Sequence, residues 1–301
     1  MRKLSRRAAS IALAAAMLFT TARVSQKKVE AASTGKLSVT GYQDYNDAQK
    51  ILKEVNKYRK KNGRKALKMD RGLTNSAIMR GFETTIYIPE TSPHRRPNGK
   101  LSKSINKKII YENCAQSAGT TPKQIVKGWI NSSTHRKGLL LSNAKSVGVA
   151  AVTVVSRDGY EANTWVLDFS SSKAKKVEKS KARKQFTKNI VTKNSYLKKS
   201  YLKLDSRYGT IWETEKMQMK PTYQGKMMKE YGVYPTVINT SSFTSWKSSN
   251  PSVASVDSNG RITGNKAGTV TISAKLKTGT KITISKKIKV VPTNQQIDPW
   301  E

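Results

Sequence analysis

The sequence predicts an α+β domain followed by a small all-β domain. Apolar residues recur at helical spacing in DYNDAQKILKEVNKYRKK, residues 44–61. SVGVAAVTVV and NTWVLDF, further on, are dominated by β-branched and aromatic residues, which indicates strands joined by a turn at 157–159. Beyond about Tyr208 the period changes: apolar and polar residues alternate in runs that are separated by the turn signals Asn259-Gly260 and Thr278-Gly279. A chain of 301 residues usually forms two domains, which agrees with this division.

The N-terminal segment 1–31 is typical of a secretory signal peptide. It has a basic start, an apolar run from Ala8 to about Thr20, and small residues afterwards. Cleavage after Ala22 and cleavage after Ala31 both fit the small residues. The apolar run is shorter than the roughly 20 residues that cross a bilayer. We therefore expect a secreted protein, extracellular or attached to the cell surface, with no integral membrane segment after signal removal.

The composition is strongly basic, with 57 Lys and Arg against 19 Asp and Glu and a formal charge of +38. Removal of the seven basic and one acidic residues of 1–31 leaves +32 on the exported chain. Such a field attracts polyanions, so the expected partners are anionic cell-wall polymers or host surface ligands. The basic residues are spread along the whole chain, without regularly spaced aromatic residues to stack on bases. This pattern argues against nucleic acid as a partner.

Two further helices and a linker complete the predicted organisation. A helical pattern runs from about Leu73 to Ile86, and another begins at TPKQIVKGW, where Thr121 caps, Pro122 follows and Gln124 completes a capping box. Residues 171–207 are interpreted as a basic linker, because 171–204 hold twelve basic residues and one acidic residue. A dedicated strip for binding polyanions is the alternative for this run. Residues 293–301 are a C-terminal tail.

Six short motifs carry a family resemblance. In order over residues 45–170, they are VNKYRKKNGRKALKMDRGL, HRRPNG, YENCAQ, TPKQIVKGWINSSTHRKGLL, SVGVA and TWVLDF. Together these motifs resemble the bacterial form of the CAP family, also called SCP or PR-1-like. The resemblance implies a three-layer α-β-α sandwich with a cleft on one side. WKSSNPSVASVDSNGRITGNKAGTVTISA, residues 246–274, resembles a bacterial Ig-like domain of group 2 (BIG2). That resemblance implies a small all-β sandwich, assigned here to 208–292, of the type found in surface adhesins and cell-wall proteins.

The resemblance to CAP domains implies a binding cleft lined by two histidines and two acids. The matching residues are His94 in the HRRPNG loop, Glu112 in the YEN strand and His135 before Arg136. The fourth residue, by analogy with an acid on the second helix, is Glu83. Glu90, in the inserted segment IPETSP, is a rival for that position. The chain contains only these two histidines, so a bound metal would depend on His94 and His135.

The chemistry of this set leaves three roles open. Histidines paired with carboxylates can bind a divalent metal, move a proton, or form a polar network that only fixes a loop against a helix. No cofactor is certain, and a divalent cation such as zinc is the one that the residues allow. The single cysteine, Cys114, is expected to pack as a small apolar group. We expect the hydroxyl groups of Ser132, Ser133 and Thr134 to cap a helix end or to form a turn.

These observations favour a binding protein over an enzyme. We expect a cell-surface or cell-wall-associated CAP-domain protein with a cleft-bearing binding module and an Ig-like adhesive or spacer domain. The alternative is a metal-assisted hydrolase that acts on wall or host polymers through the His/Glu cleft. Whether the protein is an enzyme at all is left open by the sequence, because no nucleophile is marked.

Overall fold

The computed structural model describes residues 34–87, 94–117, 119–206, 208–278 and 280–294. The predicted signal peptide, Glu90 and most of the predicted tail lie outside these ranges. Within the part of the chain that is described, every helix is too short or too polar to cross a bilayer.

The first domain is built on one sheet. Its strands are β1 (Thr34–Asp44), β2 (Lys68–Met69), β3 (Tyr111–Ser117), β4 (Ser146–Val155), β5 (Glu161–Ser170) and β6 (Arg183–Lys193). Their order is β3-β5-β4-β1-β6, and β2 pairs in parallel with β4. The helices are α1 (Tyr45–Lys61), α2 (Arg71–Ile86), α3 (Pro122–Asn131) and α4 (Ser133–Leu139). Strand β3 therefore lies at one edge of the sheet.

Helices cover both faces of this sheet, which gives three layers. On one face, α2 packs Ala77, Ile78 and Phe82 against alternate residues of β4 and β5. On the other face, α1, α3 and α4 bury their apolar residues against the intervening strand residues. Strand β4 is buried along almost its whole length, as expected for a strand between two helical layers.

The helix starts follow the predicted chemistry. The Asp44 carboxylate accepts from the Asp47 amide at 2.9 Å and caps α1. At α3 both bonds of the predicted capping box between Thr121 and Gln124 are present. His135 lies just beyond the end of this helix, as predicted, but the second short helix that contains it was not expected. Helix α3 ends at Asn131, the chain turns at Ser132, and His135 lies within a separate helix, α4.

The interpretation of 171–207 as a solvated linker is wrong for much of its length. Strand β6, within this segment, pairs with β1 along all eleven residues, from Thr34 opposite Lys193 to Asp44 opposite Arg183. Ile190 and Thr192 are buried while the residues between and before them are partly or fully exposed. This alternation of buried and exposed residues was not recognised because the segment is rich in lysine. Long charged side chains are nevertheless common on edge strands, where they prevent pairing with other chains.

The second domain is a sandwich of short strands. They are β7 (Leu202–Asp205), β8 (Thr210–Trp212), β9 (Lys216–Gln218), β10 (Lys220–Tyr223), β11 (Thr236–Val237), β12 (Phe243–Ser248), β13 (Ala254–Val256), β14 (Arg261–Gly264), β15 (Gly268–Leu276) and β16 (Thr283–Val291), with helix α5 (Lys226–Glu230) after β10. They form the sheets β11-β10-β7, β12-β15-β16-β8 and β13-β14-β9. Val270, Ile272 and Ala274 are buried on one face of β15, as the alternation predicts. Gly260 closes the β13–β14 turn with φ of +74°.

The two domains contact each other directly. The Ser38 amide in β1 donates to the Ser242 hydroxyl at 2.8 Å, and the Asn239 amide donates to the Ser38 carbonyl at 2.8 Å. The rings of Tyr160 and Tyr234 stack at 4.6 Å, with 17° between their planes. Buried apolar side chains from α2, β1 and the second domain form one continuous cluster. The Ig-like part is therefore packed against the first domain.

Candidate functional site

Strand β3 organises the candidate site because its alternate residues face different helical layers. Glu112 faces the layer of α2, where its carboxylate meets Arg80. Tyr111 and Asn113 face α4: the Tyr111 hydroxyl donates to the Thr134 carbonyl at 2.9 Å, and the Asn113 amide group donates to the His135 carbonyl at 3.0 Å. The outer edge of β3 therefore lies between two sets of side chains, one from each layer.

Glu112 is the centre of the α2 side. Its side chain is 1% exposed, and it accepts from Arg80 Nε at 2.9 Å and from Arg80 Nη2 at 3.2 Å. His94 Nδ1 lies 3.0 Å from Glu112 Oε1, and the His94 side chain is 37% exposed. Burial alone would raise the pKa of Glu112, but the Arg80 charge and the hydrogen bonds from His94 and Arg80 lower it to about 2. This carboxylate is therefore ionised at any physiological pH, and it holds the His94 ring at the surface.

Glu83 is close to this group but does not line an open cleft. Its carboxylate is fully buried and accepts from Arg80 Nη1 at 2.8 Å and from Arg96 Nη2 at 2.7 Å and Nε at 2.9 Å. Arg80 thus joins the two predicted acids, Glu83 and Glu112, from one side chain. Both oxygens of Glu83 already have arginine donors, so Glu83 anchors the His94 loop through Arg96. The rival, Glu90, lies outside the described residues.

His135 approaches β3 from the opposite layer. Helix α4 can lie close to the strand because residue 138 is glycine: a Cβ there would come within 2.7 Å of Asn113 Oδ1 and of the Tyr111 ring. The His135 ring is partly buried, and its Nδ1 lies 2.9 Å from the Ser132 hydroxyl. Burial lowers the pKa of His135, and the nearby His94 lowers it further, while a hydrogen bond with the Cys114 backbone opposes both. Both imidazoles therefore lie at β3, one on each side.

Sequence reasoning missed two members of this group, Arg80 and Asp168, but it includes Arg96, which adjoins His94 in the sequence and for which pairing with an acid is one of two expectations. Arg80 and Arg96 hold the two glutamates, and Asp168 of β5 lies directly opposite Glu112 in the strand register. Asp168 is completely buried, and neither carboxylate oxygen has a hydrogen-bond partner. Burial, and then the charge of Glu112, raise the pKa of Asp168 well above its usual range. The signal for Arg80 was its i, i+3 spacing to Glu83 on a helix.

Cys114 completes the buried side of the site. It follows Glu112 on the same face of β3 and packs against the apolar cluster under α2. Burial, and then the neighbouring Glu112 charge, raise the pKa of the Cys114 thiol well above its ordinary value. The thiol is therefore not a nucleophile at neutral pH, since only the thiolate is reactive.

The residues whose ligand atoms lie close enough to hold a metal ion differ from the predicted pair of histidines. Ligand atoms of His94, Glu112 and Cys114 lie within 4.8 Å of one another. Imidazole, carboxylate and thiol are all zinc ligands, and the orphaned carboxylate of Asp168 lies opposite Glu112, so the residues fit that ion by type. Arg80, however, already donates to both oxygens of Glu112. The pairing of His94 with His135 around a metal stays a prediction.

Comparisons with known proteins agree with this architecture. Residues 52–169 match the Cysteine-rich secretory protein family, CAP, and residues 224–288 match the Bacterial Ig-like domain (group 2). The chain thus carries a CAP domain followed by a BIG2 domain, which confirms both resemblances and the predicted fold class.

Individual relatives match only part of the chain. The protein YkwD of Bacillus subtilis is 31% identical over 130 residues, which are 42% of this chain and 48% of that protein, so the chain covers about half of its length. An outer surface protein from Borrelia burgdorferi is 18% identical, with a TM-score of 0.33 and coverage of 43% of this chain and 98% of that one. An extracellular SCP-domain protein from Bacillus anthracis is 19% identical, with a TM-score of 0.32 and coverage of 42% and 41%.

Proposed function

We propose that this is an exported binding protein of the bacterial surface, and that its CAP domain captures a ligand along the outer edge of β3. One observation carries the proposal: His94 and His135 reach this edge strand from opposite layers, and both rings keep part of their surface in solvent. The charged groups behind them are buried and paired with one another. A rigid base with two accessible imidazoles is suited to hold a polar ligand.

The state of the acidic groups supports binding over hydrolysis. A general base works best when its pKa lies near the operating pH, whereas Glu112 has a pKa of about 2. Asp168 is sealed from solvent, and the Cys114 thiol stays protonated. These three groups hold the cleft in place, and the imidazoles are the groups that meet the ligand.

A binding experiment tests the role of the cleft. The exported chain is titrated with soluble fragments released from purified peptidoglycan by a muramidase, and binding is followed by calorimetry and by NMR shifts of the histidine rings. We expect His94→Asn and His135→Asn each to weaken binding about tenfold, the effect of losing one good polar contact. Lys50→Gln, an exposed change on α1, is the matched control. A wild-type protein that binds none of these fragments contradicts the proposal for this class of ligand.

Retention at the surface is proposed to depend on charge. The exported chain carries +32, and exposed charges are screened once the Debye length falls below about 10 Å. Protein bound to isolated cell walls is therefore expected to remain at about 50 mM salt and to be released at about 1 M salt. Retention that molar salt does not change would exclude charge as the cause.

A divalent cation at His94, Glu112 and Cys114 is the second candidate, and the observation that favours it is that ligand atoms of these three residues lie within 4.8 Å of one another. Calorimetric titration of the reduced protein with zinc tests it directly. We expect Cys114→Ser to weaken zinc binding at least about tenfold, because thiolate is the strongest zinc ligand of the set. Digestion of wall polymers that stops with a chelator would establish the hydrolase alternative. Absence of zinc binding removes both.

A further inference from the structure

The loop 94–102, which carries His94 and is called the histidine loop below, contacts the strand that leads into the second domain. The amide of Lys193, the last residue of β6, donates to the carbonyl of the buried Pro97 at 3.0 Å. Gly99, with φ of +84°, lies so close to the Lys193 side chain that a Cβ there would collide with it. The histidine loop therefore packs on the end of β6 through both the backbone and the side chain of one residue.

The chain that follows Lys193 is held by both domains. Leu197 is buried in the apolar cluster that the two domains share. The carbonyl of Tyr196 accepts from the hydroxyl of Tyr223, a residue of β10 in the second domain, at 3.0 Å. A short length of packed chain thus connects the second domain to the contact between Lys193 and the histidine loop.

The other half of the cleft is held from within the first domain. The carbonyl of His135 accepts from the amide group of Asn113 on β3 at 3.0 Å. The histidine loop has a hold of this kind as well, because Arg96 binds the Glu83 carboxylate of α2. Its second hold, at Lys193, lies where the chain enters the second domain. A displacement of that domain therefore acts on one side of the cleft.

From these contacts we infer that Lys193 is a positioning residue, which links the placement of the second domain to the position of the His94 ring. The hydrogen bond from the Lys193 amide to the Pro97 carbonyl is the link. When the junction between the domains loosens, the histidine loop opens more often, while α4 keeps its place. The consequence for ligand capture rests on the proposed function, but the link itself does not.

The backbone at Lys193 allows this hydrogen bond to be removed alone. The φ of −61° and ψ of 143° suit proline, and the preceding Thr192 is extended, so Lys193→Pro deletes the N–H donor without moving the chain. Lys193→Ala keeps the donor and removes the side chain. Opening of the histidine loop is measured in the full exported chain, without ligand, as hydrogen exchange of the Arg96 and Ser102 amides, which are bonded within the loop.

We expect Lys193→Pro to speed exchange of both loop amides about fivefold, the effect of one lost hydrogen bond, and to shift the NMR signals of the His94 ring. The Arg136 amide, which donates to the Ser132 carbonyl at the start of α4, should exchange as in the wild type. The His135 ring signals should also stay unchanged. Lys193→Ala should change the loop rates by less than about twofold, as expected for a partly exposed side chain.

A change within the second domain tests whether the effect is transmitted. Tyr223→Phe removes the hydroxyl that donates to the Tyr196 carbonyl, and should speed exchange in the histidine loop about twofold to threefold. In the Lys193→Pro protein the same change should add nothing, because the link is already absent. Tyr231→Phe, an exposed change in the same domain, is the matched control and should leave the loop rates unchanged.

One measurement needs no variant. In the wild type, native-state exchange in low urea should give the Lys193 and Ser102 amides the same opening free energy. Different opening free energies, equal effects of Lys193→Pro and Lys193→Ala, faster exchange at Arg136 to the same extent, or an additive effect of Tyr223→Phe in the Lys193→Pro protein would each overturn the inference. These outcomes do not depend on whether wall fragments bind to the cleft.

Discussion

The ionised state of Glu112 can be measured through the pH dependence of stability. Its pKa is lowered from 4.5 to about 2 in the folded protein, and each pKa unit corresponds to about 1.4 kcal/mol, so pairing contributes about 3 kcal/mol. Because the folded pKa is depressed, the contribution is present above the unfolded pKa of 4.5. It is lost as the pH falls through 4.5 towards about 2. At pH 3 about 1 kcal/mol remains.

The assay isolates Glu112 from its neighbours. The Asp168 carboxyl has an ordinary pKa of 3.8 in the unfolded chain, which lies within this range, so Glu112→Gln is introduced into an Asp168→Asn background. The Asp168→Asn protein and the Glu112→Gln/Asp168→Asn protein are each unfolded with urea at pH 5 and pH 3 in the presence of a chelator, and unfolding is followed by tryptophan fluorescence. The gap in their free energies of unfolding should be about 2 kcal/mol larger at pH 5 than at pH 3.

The control replaces an exposed carboxylate. Glu230→Gln, at the end of α5, is introduced into the same Asp168→Asn background. Its free energy of unfolding should differ from that of the Asp168→Asn protein by an amount that is nearly independent of pH. A Glu112 gap that is likewise constant between pH 5 and pH 3 would refute the reasoning. It would mean that the carboxylate is not held ionised by Arg80 and His94 in the folded protein.

Three further changes test how the site is supported. Arg80→Leu leaves two carboxylates buried without their shared cation, and should cost about 3 to 5 kcal/mol of unfolding free energy in urea. Gly148→Ala should destabilise the protein by roughly 3 kcal/mol or more in thermal unfolding, the upper end for overpacking, because its Cβ would lie 2.2 Å from the Leu73 carbonyl carbon. Tyr234→Ala removes the ring stacked on Tyr160 and should cost about 1 kcal/mol, seen as easier proteolysis between the domains.

The sequence was most informative where local chemistry decides structure. Thr121, Pro122 and Gln124 predicted a helix start that the structure shows, and the strands 146–155 and 161–170 follow from their β-branched residues. The strand β6 was missed because only two of its eleven residues are buried, so its apolar period is short, and because the surrounding segment is rich in lysine. Its pairing with β1 depends on a contact across about 150 residues, which no local pattern reveals.

The candidate site was predicted by residue type but not by arrangement. His94 lies beside Glu112, whereas Glu83 is turned inward by Arg80, which the sequence reasoning overlooked, and by Arg96, which adjoins His94 in the sequence. Asp168 was overlooked for a related reason. Its burial follows from the register of β3 and β5 and from the α2 layer above them, and both are tertiary features.

The balance of charge in this cluster explains why the acids are not available for chemistry. Arg80 and Arg96 carry two positive charges, and Glu83 and Glu112 carry two negative ones, while burial and the Glu112 charge disfavour the ionised form of Asp168. Burial of a cluster of charged side chains costs least free energy when the net charge of the cluster is zero. Ionisation of Asp168 or protonation of Glu112 would each leave one uncompensated buried charge. The cluster therefore favours an ionised Glu112 beside a protonated Asp168. The two imidazoles, by contrast, are partly exposed at the β3 edge, which is why we propose that they are the groups that meet a ligand.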